Sequence, residues 1–254
     1  MSKFRSARAV IAGAAVVALA GCSATASSSG AAPVSTSSSA VASPVTTPNA
    51  KSNAFGPAGA APYPIAVGNT WVYQTTANID GERGIETKRV LSVVPVSGGR
   101  RVTMSETNDL DGAKTTNEDV FVFYSNGTIE YPVVGSEVSV LGSGVLWPSA
   151  AGLASGRAFR SVERIKVSPT GPAQYANVAV QGQGTHAVTV PPGTYQATLV
   201  TMTMAVKVGG YTSTEEVETW DAPGTGPVKS EVLVLAAGHT KVTATNELLS
   251  FTKG

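Results

Sequence analysis

The stretch Tyr195-Gln196-Ala197-Thr198-Leu199-Val200-Thr201-Met202-Thr203-Met204-Ala205-Val206-Lys207-Val208 decides the fold class. Val200, Met202, Met204, Val206 and Val208 share one face, while Leu199, Thr201, Thr203, Ala205 and Lys207 share the other. Side chains of an extended chain alternate sides, so a period of two predicts a β-strand resting on a core. Pro191-Pro192-Gly193 precedes it and Gly209-Gly210 follows it, turn chemistry at both ends.

The same grammar extends outward. Trp71-Val72-Tyr73-Gln74-Thr75 is rich in β-formers and leads to Asp80-Gly81, a hairpin turn in which glycine takes a positive φ. Val90 to Val96 runs to Gly98-Gly99, and Arg101 to Thr107 runs to a turn around Asp109-Leu110-Asp111-Gly112. Val120-Phe121-Val122-Phe123-Tyr124 is apolar on both faces, which predicts a central strand covered on both sides. Asn126-Gly127 closes it. Further strands are expected over 178–190, 211–220, 228–235 and 240–251, with Gly142 to Gly156 as a long loop holding one short helix. About ten strands joined by tight turns predict an all-β domain: an antiparallel sandwich, or a strongly curved sheet closing toward a half-barrel.

This domain, 63–254, is preceded by two segments of other character. Lys3, Arg5 and Arg8 open the chain, and the uncharged run Ala9 to Ala20 follows. Twelve helical residues reach only ~18 Å, short of a ~30 Å hydrocarbon core, so 1–21 is expected to be a secretory signal peptide. Leu19-Ala20-Gly21-Cys22 resembles the lipobox of bacterial lipoproteins. That resemblance implies a diacylglycerol on the Cys22 thiol, palmitate-class acyl chains and cleavage before Cys22. Two chains suffice for stable anchoring at roughly 0.8 kcal/mol per buried methylene. Cys22 is the single cysteine, so it cannot serve an intramolecular disulfide. From Ser23 to Pro62 the chain is dominated by Ser, Ala, Thr, Pro and Gly, with Lys51 as its one charge, so 22–62 is expected to be a lipidated cysteine on a disordered tether. Removing the signal peptide leaves fifteen bases against seventeen acids, a balance that gives no electrostatic case for nucleic acid. The expected location is the extracytoplasmic face of the cell membrane.

A second resemblance covers most of 64–251. It rests on Gly68-Asn69-Thr70-Trp71-Val72-Tyr73, Tyr124-Ser125-Asn126-Gly127, Leu146-Trp147-Pro148 and Val190-Pro191-Pro192-Gly193-Thr194-Tyr195. Trp220-Asp221-Ala222-Pro223-Gly224-Thr225-Gly226-Pro227 and Glu247-Leu248-Leu249-Ser250-Phe251 complete it. In that order these pieces are similar to the TapB-like group of extracytoplasmic bacterial proteins. The resemblance implies a β-rich domain and neither a reaction nor catalytic residues.

No constellation carries chemistry. There is no Gly-x-Ser-x-Gly elbow, and Gly142-Ser143-Gly144 and Gly182-Gln183-Gly184 lack the third glycine of a phosphate loop. Asp109, Asp111 and Glu118 miss the spacing of a calcium loop. His186 alternates with Val188 and Val190 and is expected to be a buried or rim histidine, and His239 a solvated one. Arg157, Arg160 and Arg164 read as a charged edge, and Glu215, Glu216 and Glu218 as an exposed part of a strand. No metal, cofactor or catalytic residue is therefore expected. The expected role is a non-catalytic domain that binds a ligand or partner at the envelope, with an apolar ligand in a half-barrel as one form of it. The alternative is a glycan- or peptidoglycan-binding module using exposed tryptophans. Trp71, Tyr73, Trp147 and Trp220 are the candidate contact residues for either, against a competing reading of them as core.

Overall fold

The computed structural model describes residues 63–78, 81–110, 112–131, 139–142, 144–166, 172–208, 211–236 and 239–254. The signal peptide, Leu19-Ala20-Gly21-Cys22, the tether, and the turn residues Asp80, Asp111, Gly209, Gly210 and Gly238 lie outside them.

Among the described residues, thirteen strands form one antiparallel sheet. The first group is β1 (Thr70–Ala77), β2 (Glu82–Val96), β3 (Gly99–Leu110), β4 (Ala113–Tyr124), β5 (Ile129–Tyr131), β6 (Ser139–Val140) and β7 (Val145–Trp147). A single-turn helix α1 (Ala150–Ala154) separates it from β8 (Phe159–Lys166), β9 (Ala173–Val190), β10 (Gly193–Val208), β11 (Tyr211–Ala222), β12 (Gly226–Ala236) and β13 (His239–Thr252). Spatial order is β6-β8-β9-β10-β11-β12-β13-β1-β2-β3-β4-β5-β7. The first long strand thus lies beside the last, Trp71 opposite Phe251, with the rings stacked 5.1 Å apart. The amide of Gly254 donates to Asn69 Oδ1 at 2.9 Å and fastens the two ends of the domain.

Of the two expected architectures, the curved sheet is the one formed, in a nearly closed, barrel-like course. Register breaks at Val72/Tyr73, Val90/Ser92, Thr198/Val200, Trp220/Asp221 and Val232/Leu233 mark β-bulges. An extra residue on one strand bends it and increases its twist, which curls a long sheet. One apolar cluster fills the concave side, drawn from β1–β5 and β7–β13 and including Trp71, Val102, Phe123, Ile165, Val200 and Leu248. Strand β9 reaches across it to β12 and β13.

Helix α1 lies on β9. Its N-cap Ser149 is fully buried and accepts from the Gly152 amide at 3.2 Å. Gly182 on β9 is the point of contact: a Cβ there would run into the Leu153 carbonyl, so only glycine lets the helix this close. Hairpins close where expected, with positive φ at Gly81, Gly98, Gly112 and Gly127.

Three expectations are corrected. β4 is not doubly covered: Phe121 and Phe123 are buried, but Val120 on the outer face is 48% exposed. Among the described residues the apolar cluster lies on the concave side, so a run apolar on both faces still shows one face to solvent. His186 is exposed, its Nε2 3.1 Å from the Gln183 carbonyl oxygen. Residues 183–187 are exposed without alternation, since here β9 itself carries the bulge, with Gln183 and Gly184 set against Leu199 alone. Glu215 is buried, because alternation on β11 turns it inward with Val217, while Glu216 and Glu218 are half-buried.

Candidate functional site

The concave face encloses a cavity of about 70 Å³, measured as room for the centres of water molecules. Its walls are Tyr63, Tyr73, Ile129, Tyr131, Trp147, Met202, Val217 and Val232, and Glu86, Lys88, Asp221, Ser230 and Asn246 bring polar groups to it. Inward positions of β1, β2, β11, β12 and β13 supply most of these, placed by strand alternation alone. An apolar hollow with a few convergent polar groups is the usual form of a small-molecule site.

Of the candidate contact residues, Tyr73 and Trp147 line this cavity. Trp71 lies in the core beside it, 1% exposed, its indole N–H donating to the Thr225 carbonyl at 2.6 Å. Tyr73 donates its hydroxyl to the Pro227 carbonyl at 3.0 Å. Trp220 is half-buried against the edge of the apolar cluster and does not line the cavity, with the Lys229 ammonium 5.1 Å from its ring centroid. The three tryptophans are therefore not brought together and form no exposed stacking platform: Trp71 and Trp147 are needed to fill the interior of the sheet.

Sequence reasoning missed the acids inside. On β2 and β3, Glu86, Lys88 and Glu106 point inward with Val90 and Met104. The Lys88 ammonium lies 3.0 Å from Glu86 and 3.1 Å from Glu106. Asn108 donates to Glu106 at 3.0 Å and Asn246 donates to Glu86 at 2.9 Å. Burial pushes Glu86 up to about 7 against the pull of Lys88. Burial also acts on Glu106, but Lys88 and the hydrogen bonds from Glu86 and Asn108 outweigh it and hold that carboxyl below its ordinary value. The two carboxyl groups are thus pushed in opposite directions beside one ammonium.

Strand β11 differs. Asp221 is 3% exposed and lines the cavity, and neither of its oxygens has a hydrogen-bond partner among the described residues. Glu215, 4% exposed, is likewise without a partner there, but lies outside the cavity wall, between Met204 and Val234 on the adjacent strands. Burial alone pushes each up to about 7. A signal was present for both: Glu215, Val217, Thr219 and Asp221 occupy alternate positions, so the burial of Val217 fixes the side of the acids.

Among the described residues no group of three histidine, cysteine or acidic side chains could hold a metal, and no helix is long and apolar enough to cross a membrane.

The sheet defines a class, a single strongly curved antiparallel sheet, and solved structures share that fold. The chain is similar to a candidate lipoprotein from Parabacteroides distasonis, TM-score 0.58 and 15% identity, over 76% of this chain and 99% of that one. It is also similar to a candidate exported protein with a YmcC-like fold from Bacteroides fragilis, TM-score 0.52 and 19% identity, over 75% and 98%. No family model and no curated protein matches, so the TapB-like resemblance rests on its own motifs.

Proposed function

We propose that the chain is an extracytoplasmic lipoprotein, anchored through lipid on Cys22, whose half-barrel binds a small ligand in its concave cavity. The cavity beneath Tyr73, Tyr131 and Trp147, with Asp221 at its wall, is the observation that carries this reading. The signal peptide, the lone cysteine and the tether support the address, and both structural neighbours are described as lipoprotein or exported. Size narrows the ligand. One water needs roughly 10–15 Å³ of such volume, so the hollow takes a group of about five heavy atoms, far less than a lipid acyl chain. The occupant is a small molecule, or the head of a larger one.

Native mass spectrometry of the lipidated protein, gently extracted in detergent, tests this directly. The expected result is an adduct of small mass that disappears in Val217→Phe, which fills the cavity. Identical spectra for the two proteins, with no adduct in either, would sink the ligand reading. Separately, Cys22→Ala is expected to release the protein from the membrane or to leave the precursor uncut.

A further inference from the structure

Resting on that reading, the class of ligand follows from what Asp221 lacks. A carboxylate buried without a hydrogen bond is costly, and native structures keep few such groups. Several donors nearby are already committed. The Trp71 indole serves Thr225, and the Tyr73 hydroxyl serves Pro227, the residue opposite Asp221 in the sheet. Lys88 is held by Glu86 and Glu106, and Lys229, also on the cavity wall, by Glu231 at 2.8 Å.

Alternation along β11 aims the group: Glu215, Val217 and Asp221 turn inward together, and the bulge opposite them belongs to Val228 of β12, which leaves β11 regular. Of the charged groups on the cavity wall, Glu86 pairs with Lys88 and Lys229 pairs with Glu231, which leaves Asp221 as the one without a partner among the described residues and favours a positive guest. The rings of Tyr63, Tyr73 and Tyr131 form part of the wall, and aromatic faces attract cations.

We propose that the cavity takes a primary ammonium group on a short alkyl stem, with Asp221 as its ion-pair partner and the tyrosines around its methylenes. The stem points out through the mouth, so the amine belongs to a small molecule or to the end of a larger one. Anions are excluded by the same carboxylates, and a neutral alcohol satisfies Asp221 with one hydrogen bond where an ammonium brings three donors and a charge.

Calorimetric titration of the full lipidated protein in detergent, at constant ionic strength, with butylammonium, 1-butanol and butyrate tests the idea. Butylammonium is expected to bind saturably, 1-butanol roughly tenfold or more weaker, and butyrate not at all. Asp221→Asn is expected to reduce butylammonium to the level of 1-butanol, and Asp221→Glu, which keeps the charge, to bind better than Asp221→Asn. Equal binding of butylammonium and 1-butanol, unchanged by Asp221→Asn but lost in Val217→Phe, overturns the amine while leaving the cavity as a ligand site. Preference for butyrate does the same. No binding of any of the three overturns both readings.

Discussion

The two walls of the half-barrel treat buried charge in opposite ways. On β2 and β3, Glu86 and Glu106 are clamped by Lys88 and closed off by Asn108 and Asn246. On β11, Asp221 and Glu215 are as deeply buried and have no partner among the described residues. Burial alone does not distinguish a structural acid from a functional one. A network whose charges are paired fixes one packing arrangement, even with one amide oxygen, Asn246 Oδ1, left without a partner among the described residues. An unsatisfied carboxylate at a cavity wall is a standing demand for a guest, and one packed between Met204 and Val234 is a cost with no visible return.

If that contrast is right, the largest effect comes from taking the cation out of the satisfied wall. Lys88→Met leaves two inward carboxyls that can share one proton but not two charges. Breaking a buried ion pair from one side costs about 3–5 kcal/mol. Urea unfolding at neutral pH is expected to show a loss in that range, largely recovered when Glu86→Gln and Glu106→Gln are added. A Lys88→Met protein within about 1 kcal/mol of the parent would mean the network is held by something other than its ammonium.

The opposite sign is expected on β11. Asp221 and Glu215 titrate near 7 in the folded chain, against about 3.9 and 4.3 when unfolded. Between those values the folded state binds more protons than the unfolded one, so stability falls as pH rises from about 4 through 7. At 1.36 kcal/mol per pH unit, each acid costs roughly 3–4 kcal/mol above neutrality. Asp221→Asn and Glu215→Gln are each expected to raise Tm at pH 8, to leave it nearly unchanged at pH 4, and to flatten the profile. Only Asp221→Asn should also weaken butylammonium. Should Glu215→Gln weaken it as well, the division of the two acids into guest site and packing cost fails. Thermal melts across that pH range, with and without ligand, decide both points.

How much of this was legible beforehand depends on what sets a residue's side. The long strands were, because period two and glycine turns act locally: β10 runs from Gly193 to Val208 with Val200, Met202, Met204 and Val206 buried. The strand count fell short because β5, β6 and β7 have two or three residues, too few to show a period. The candidate site was half legible. Tyr73 and Trp147 line the cavity, but Glu86, Lys88, Glu106 and Asp221 were not singled out, because charge on a strand is usually solvated. Their neighbours on the same face, Val90, Met104 and Val217, held the contrary information. What no local pattern carries is the pairing of β1 with β13, which turns that face into an interior and brings Asn246 to Glu86 across 160 residues.

The smallest effect tests whether the two walls are independent. Asn246 touches both: its amide donates to Glu86 Oε2, and its side lines the cavity shared with Asp221. Asn246→Ala removes one hydrogen bond to a carboxyl that can keep its proton, so a loss of about 1–2 kcal/mol is expected. Combined with Asp221→Asn, the two changes should add within about 0.5 kcal/mol, since Asp221 shares no hydrogen bond with the network. A larger coupling energy in urea unfolding would show that Asp221 senses the charge on Glu86 through Asn246. The satisfied and unsatisfied walls would then be one titrating unit, and the guest's affinity would follow the protonation of Glu86 as well as that of Asp221.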